Sequence, residues 1–414
     1  MVIKAVAIRE SSNLTRSTCL QINAQALLHN LEQIRRFAPG KQIVAMVKAN
    51  AYGCGLPIVI PTLDGGVDWF GVACMEEALS IQQLGAHTPC LLLEGVFKPD
   101  DYGIAVAHQM ACVIHHAEQL KWLLSTPLPQ PIHIWIKIDT GMHRLGFEPE
   151  EVPAVIAALR DCPWVNPNLV AMTHFASADE PSNPFNQKQC DLFRSLPCLQ
   201  SPMIQSLANS AAIIALPKTH ADIIRPGLML YGVSPFIFSQ QLGFRQGASK
   251  RDKGVYMEYM TDGERACNTA ENSIPQSIAQ TAIDLGLKPV MELTSMIMAV
   301  HHYRAGECVG YGGTWQAPRD STIGVVAIGY GDGYPRHIAS NTPVGIHGER
   351  APIVGRISMD MLTIDLTDCQ HTVSLGERVE LWGSMIPIET IAQAAGTIPY
   401  ELMCQITSRV NRIS

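Results

Sequence analysis

The strongest constraint on this chain is an alternation. Short apolar runs at 43–48, 69–73, 90–94, 111–115, 133–139, 169–174, 204–207 and 223–225 take turns with amphipathic stretches at 24–37, 75–84, 117–124, 150–160 and 186–195. Eight such runs with helices between them predict an α/β fold, a parallel sheet closed into a (β/α)8 or TIM barrel, since each parallel crossover needs a covering helix. A doubly wound open sheet needs fewer strands and usually carries a Gly-x-Gly-x-x-Gly turn after the first. None follows a strand here.

The texture changes after Gly232. Residues 239–280 are polar and weakly periodic, with Lys250-Arg251-Asp252-Lys253 among them, and read as an inserted loop. From Gly286 onward short β-branched segments at 295–301, 323–328, 344–347, 353–357, 362–366 and 378–382 are parted by glycine turns, with a helix near 388–395. The expected organisation is a barrel over 14–236, a polar insertion or linker over 237–284, and a mainly β C-terminal domain over 285–414.

The bulk numbers bound the function. With a net charge of -7 and no dense Lys/Arg stripe, the chain is a poor nucleic-acid binder. Its 12 cysteines are scattered singly with no CxxC pair, which disfavours a metal centre and fits a reducing compartment. The first ten residues are broken by Lys4, Arg9 and Glu10 and lack the apolar core of a signal peptide; no uninterrupted apolar stretch is long enough to span a membrane. These features predict a cytoplasmic protein with no membrane or nucleic-acid partner.

Polar residues end the expected barrel strands. Lys48 closes the first, Asp139 the fifth, His174 the sixth and Arg225 the eighth, while Asn209-Ser210 follows the seventh. Barrel enzymes build their sites at this rim, where the loops after the strands converge. Lys48 alone reads as simply as a snorkelling lysine whose stem covers the strand end. Ser210 alone reads as an N-cap, and Arg225 as half of a structural ion pair. Lys, His, Ser and Arg at one rim strain those readings. A lysine amine with hydroxyl and backbone donors is the minimum equipment for pyridoxal 5'-phosphate, which needs an amine to hold its aldehyde and a site for its phosphate. Ser210 at a helix start, Gly227 in Arg225-Pro226-Gly227 and the phenol of Tyr52 are the phosphate candidates.

Val47-Lys48-Ala49-Asn50-Ala51-Tyr52-Gly53 resembles the cofactor-lysine motif of the alanine racemase family. Further segments follow in that family's order: Lys137-Ile138-Asp139-Thr140-Gly141-Met142-His143-Arg144, Asn209-Ser210-Ala211, Arg225-Pro226-Gly227, Val309-Gly310-Tyr311-Gly312-Gly313, Ile328-Gly329-Tyr330-Gly331-Asp332-Gly333 and Gly355-Arg356-Ile357-Ser358-Met359-Asp360. The resemblance covers nearly the whole chain apart from the insertion.

It implies a homodimeric pyridoxal-phosphate isomerase that interconverts L-alanine and D-alanine with two bases and supplies D-alanine for peptidoglycan. Lys48 would carry the cofactor and serve the D-alanine side; Tyr311, from the partner's β domain, would serve the L-alanine side. His174 would bridge Tyr311 to Arg225, and Arg225 would face the ring nitrogen without giving up its proton. Tyr52, Ser210 and Gly227 would hold the phosphate. Arg144 would grip the substrate carboxylate, and Lys137 matches a lysine that related enzymes carbamylate to orient that arginine. Met359 and Asp360 would reach in from the partner, and Tyr330 would line the approach to the site.

Two departures stand out. Ser408 falls where some members carry a phosphate-binding tyrosine, and the 239–280 excursion exceeds the family's usual link. The rival readings are a broader amino-acid or serine racemase on the same fold and a non-enzymatic pyridoxal-phosphate-binding protein. A barrel decarboxylase is disfavoured, because no C-terminal Cys-Glu-Ser-Gly-Asp-type segment occurs.

Overall fold

A computed structural model describes residues 17–199, 203–236 and 281–414. Most of the expected 237–284 insertion therefore lies outside the described residues. The strands begin with β1 (Cys19–Ile22). The barrel follows as β2 (Gln42–Met46), β3 (Trp69–Val72), β4 (Cys90–Leu92), β5 (Ala111–Ile114), β6 (Ile134–Lys137), β7 (Val170–Met172), β8 (Ile204–Ser206) and β9 (Ile223–Ile224).

The barrel sheet runs β8-β7-β6-β5-β4-β3-β2-β9, with its neighbours parallel. Between β8 and β9 the ring is drawn shut. There Asp222 N donates to Gln205 O at 3.1 Å and Arg225 N to Ala208 O at 2.9 Å, and Asn209 bridges Arg225. Every barrel strand expected from the apolar runs forms. Where a run ends in a polar residue, as at Lys48, Asp139, His174 and Arg225, the strand stops short of it, and that residue leaves the ladder to enter a rim loop.

The first helix, Ala24–Phe37, shows why the pattern works. Asn23 Oδ1 caps it by accepting from Ala26 N, Arg35 and Arg36 complement its C-terminal dipole, and Ala26, Leu27, Leu31 and Ile34 form the buried stripe. Helices at Leu56–Leu63 and Asp101–Ala107 were not among the expected stretches. The first is apolar almost throughout and so lacks an amphipathic period; the second is short.

The second unit comprises β10 (Met291–Tyr303), β11 (Cys308–Val309), β12 (Trp315–Gln316), β13 (Ser321–Val326), β14 (Pro343–Ile346), β15 (Glu349–Val354), β16 (Leu362–Asp365), β17 (Arg378–Trp382) and β18 (Asn411–Ile413). Its large sheet has the order β13-β16-β15-β14-β17-β10-β1-β18, and β13 also pairs with β10. β1 thus belongs to this sheet, antiparallel to β10 and parallel to β18. The stretch 14–236, expected as barrel throughout, therefore opens with a strand that the second sheet takes. Its alternation explains this: Leu20 and Ile22 are buried while Gln21 is exposed, as suits one face of an antiparallel sheet. The terminal helix Ile388–Ala395 ends at Gly396, which adopts φ 66°. A shorter helix, Pro399–Cys404, follows it.

Asn30 pins the two units together. Fully buried, it donates to Leu230 O at 3.1 Å and Lys288 O at 2.8 Å, and accepts from Lys288 N at 2.8 Å. Among the described residues no helix is long and apolar enough to cross a membrane. Replacing Asn30 with alanine strands those backbone groups in the core. Asn30→Ala should cost about 1–3 kcal/mol and lower the thermal midpoint by several degrees in a calorimetric scan.

Candidate active site

β2 runs through buried Val47 into the segment Lys48–Tyr52, which is not an ordinary helix. Ala49, Asn50, Ala51 and Tyr52 have φ of 53°, 54°, 55° and 52°, a left-handed turn built without glycine. L-residues disfavour that conformation by about 1–2 kcal/mol each, so the surroundings must impose it. They do so from several sides. Ala49 N donates to Glu77 Oε1 at 2.6 Å and Leu56 N to Asn50 Oδ1 at 3.0 Å, while Arg412 Nε donates to Gly53 O at 2.7 Å. Gly53 sits against the end of the last helix so closely that a Cβ would lie 2.0 Å from Met403 O.

The turn projects Lys48 out of the barrel core. Lys48 is exposed. Tyr52 is turned the other way and buried, its ring 4.8 Å from that of Tyr231 and 5.8 Å from that of Tyr400. Burial, reinforced by Tyr400 and Cys404, raises the Tyr52 phenol well above its ordinary range and keeps it a hydrogen-bond donor.

Gly227 and Ser210 complete this corner. A Cβ on Gly227 would lie 2.6 Å from Tyr52 Oη, so the glycine leaves room that any side chain would fill. Ser210 Oγ accepts from Gly227 N at 2.9 Å and Met229 N at 3.4 Å, which leaves its own hydrogen free to donate. Asn209 Oδ1 accepts from Ala212 N at 3.0 Å and so caps the helix that Ser210 begins.

Arg225 lies at the centre of the rim, 4% exposed. It donates to Ser206 Oγ at 2.5 Å, Thr173 O at 2.6 Å and Leu207 O at 3.1 Å, and reaches His174 Nδ1 at 3.5 Å. Burial brings it down to about 10, so it remains a cation at neutral pH. His174 is half-buried and held well below the ordinary histidine range, by burial first and then by Arg225, Lys137, Arg144 and Lys48. It is therefore a neutral imidazole. With Nδ1 facing a guanidinium donor, the ring hydrogen belongs on Nε2.

Lys137, at the end of β6, is likewise pushed well down, by burial and then by Arg225 and Arg144, with Asp139 opposing. Asp139 does not pair with Arg144. Its Oδ1 accepts from Gly141 N at 2.8 Å and His143 N at 3.1 Å, shaping the loop on which an exposed Arg144 stands. Burial opposes ionisation of Asp139, but these N–H groups and His143 outweigh it and hold the carboxyl below its usual range.

The structure thus brings Lys48, Tyr52, Lys137, Arg144, His174, Ser210, Arg225 and Gly227 to one end of the barrel. Tyr311, Tyr330, Met359 and Asp360 lie on the second unit. Among the described residues, no hydrogen bond, ion pair or ring contact joins Tyr311, Tyr330 or Met359 to that rim. Tyr311 is 70% exposed on the turn between β11 and β12, and Met359 is 52% exposed. Tyr330 N donates to Ser358 O and Gly331 N to Met359 O, zipping these two loops together, and Asp360 is paired with Arg409 at 2.7 Å. Glu77, Tyr400 and Arg412 went unnoticed in the sequence. Nothing marks them locally, because they act across the fold.

Residues 22–235 match the family model for the alanine racemase N-terminal domain, and residues 290–414 match that for the C-terminal domain. The chain belongs to the alanine racemase family. A curated alanine racemase of Legionella pneumophila (strain Lens) is 50% identical over 399 residues, which cover 96% of this chain and 99% of the relative. The biosynthetic alanine racemase structure from Pseudomonas aeruginosa superposes with a TM-score of 0.82 at 38% identity, covering 96% of this chain and 99% of that one. An alanine racemase from Bartonella henselae, solved with covalently bound pyridoxal phosphate, gives a TM-score of 0.77 at 25% identity, with coverage of 96% and 99%.

Two tests bear on this geometry. Gly53→Ala forces a Cβ onto a carbonyl at a left-handed position and should destabilise the chain by about 3 kcal/mol or more, read as a large fall in melting temperature. The second concerns acid. Folding lowers the proton affinity of His174, so the unfolded chain takes up the proton first, below about pH 6.5, and the stability present above that value drains as pH falls toward the folded value. In His174→Asn the decline of melting temperature between about pH 6.5 and 5 should be shallower than in the wild type.

Proposed function

We propose that this chain is a pyridoxal 5'-phosphate-dependent alanine racemase, an isomerase that interconverts L-alanine and D-alanine through a site shared between two copies of the chain. The observation that carries the reading is the rim itself: an uncovered lysine on an enforced turn, beside unspent phosphate donors and a cationic Arg225 bonded to a neutral His174.

The residues fit the cofactor. Tyr52 Oη has no hydrogen-bond partner among the described residues, Ser210 has a hydroxyl hydrogen to give, and Gly227 leaves a cradle between them; together they suit a phosphate group. Lys48 offers an amine to bond an aldehyde. When bound, pyridoxal phosphate supplies an electron sink that lowers the cost of removing the Cα proton. Arg225 would face the ring nitrogen as a donor that keeps its proton, which limits that sink and discourages side reactions.

Inversion requires proton removal on one face of Cα and return on the other, so two bases on opposite sides serve best. Lys48 would take or give the proton on the D-alanine side. Tyr311 of a second copy would do so on the L-alanine side, with neutral His174 linking its phenol to Arg225. Arg144 would hold the substrate carboxylate. Burial, and then repulsion from Arg225 and Arg144, favour the neutral amine of Lys137. Such an amine can add carbon dioxide and release a proton, and the carbamate formed would replace that repulsion with attraction and orient Arg144.

In this reading residues 14–236 supply the cofactor cup, and 285–414 supply the face that closes the cup of the partner. Support comes from what one chain leaves bare: Tyr311, Tyr330, Met359 and Met361 are all exposed on the second unit. Met359 and Asp360 would meet the carboxylate end of the substrate, with Tyr330 along the approach. Ser408 is exposed where some relatives are expected to carry tyrosine, leaving the phosphate to Tyr52, Ser210 and Gly227. None of the described cysteines is paired, which fits a reducing cytoplasm, where D-alanine is made for peptidoglycan.

Borohydride trapping followed by peptide mapping should place the cofactor on Lys48, and Lys48→Ala should capture none. Tyr311→Phe should keep the cofactor yet slow Cα deuterium exchange of L-alanine more than that of D-alanine, by at least about a hundredfold. Equal slowing of both enantiomers would count against opposite-face bases.

A further inference from the structure

We infer that Gln189 is a positioning residue, clamping the loop that carries Arg144 to the strand end that carries His174. Gln189 lies on the helix Pro184–Ser195 and is 0% exposed. A buried primary amide is costly unless satisfied, and this one spends both donors and its acceptor. Nε2 donates to Thr140 Oγ1 at 3.2 Å and to His174 O at 3.0 Å, while Oε1 accepts from Ala176 N at 2.9 Å. Flipping the amide would set oxygen against a carbonyl and NH2 against an N–H, so the network fixes its orientation.

Its partners lead to the proposed chemistry in two directions. Thr140 begins the loop of Arg144, and its hydroxyl meets Thr173 Oγ1 at 2.8 Å. The carbonyl of Thr173 in turn accepts from Arg225 Nη2 at 2.6 Å. The other donor holds the backbone of His174 itself. The same helix presses on the loop, since a Cβ on Gly141 would lie 2.8 Å from Phe185 Cζ and 3.8 Å from Gln189 Cγ. Gln189 touches no reacting group in the proposed mechanism. It sets the spacing between the residue that holds the carboxylate and the residue that supports the second base, and in that sense it rests on the racemase reading.

The test compares wild type, Gln189→Leu, Thr140→Val and the double variant, each as the full chain loaded with pyridoxal phosphate. Three quantities are read: KM and kcat for each alanine enantiomer, and calorimetric affinity for propionate, a carboxylate without the amine. Thr140→Val should raise KM and weaken propionate by about five- to tenfold with kcat largely kept, as expected for the two lost hydrogen bonds of its hydroxyl and a loosened Arg144 loop. Gln189→Leu should do the same and also lower kcat from L-alanine, because His174 loses its anchor. The double variant should fall short of the sum. A merely structural glutamine would lower the melting temperature and leave propionate affinity and KM within about twofold of wild type, and that result overturns the inference. If Gln189→Leu fails to fold, Thr140→Val decides by the same measure. A wild-type protein that does not racemise alanine would instead sink the functional reading.

Discussion

The site depends on a turn of the wrong hand. Ala49, Asn50, Ala51 and Tyr52 all sit in left-handed conformation, and the run has no glycine until Gly53. The strain, about 1–2 kcal/mol for each residue, is offset by contacts from distant parts of the chain. Arg412 supplies one of these contacts. It lies on β18, the last strand, and donates to Gly53 O at 2.7 Å and Ile406 O at 2.9 Å. β18 is held by β1, and β1 by β10, so the lysine turn of the barrel is latched by the edge of the other sheet. The consequence is directional. Lys48 is left exposed, while Tyr52 points back into a stack with Tyr231.

The second organising fact is electrostatic. Lys48, Lys137, Arg144 and Arg225 share one rim, and none has a carboxylate partner within ion-pair distance among the described residues. Burial first, and then their mutual repulsion, keep His174 neutral and push the Lys137 amine well below its ordinary range. Such a field favours anions, and the phosphate and carboxylate groups of the proposed ligands would complete it. A neutral His174 beside a cationic Arg225 also settles what each can do: the arginine donates, the imidazole accepts at Nδ1, and its Nε2–H remains for a further partner.

How much of this could be read in advance follows from range. The barrel strands were legible because each is a buried parallel strand, hence a continuous apolar run, and β17 and the helix Ile388–Ala395 were legible from their own periods. Lys48, His174, Ser210 and Arg225 stood out as polar groups ending apolar runs. What stayed hidden depends on partners far away in sequence. β1 finds its sheet through Leu20 paired with Leu293. The left-handed turn is invisible in Ala-Asn-Ala-Tyr, whose local preference is right-handed. Gln189 reads as one more polar residue of an amphipathic helix until the loop of Thr140 lies over it.

The division of labour between the two units also bears on why, in the proposed mechanism, the second base would come from another copy of the chain. Tyr311 stands on a turn flanked by Gly310 at φ 77° and Gly312 at φ 72°, a short projection whose ring its own chain leaves bare. In the proposed dimer its phenol would meet the Nε2–H that neutral His174 has left to give at the barrel rim of the other copy. The rim in turn leaves Lys48 uncovered. In that proposed dimer each half would present what the other lacks, so pairing two copies would bring base, cofactor lysine and water exclusion together in one step.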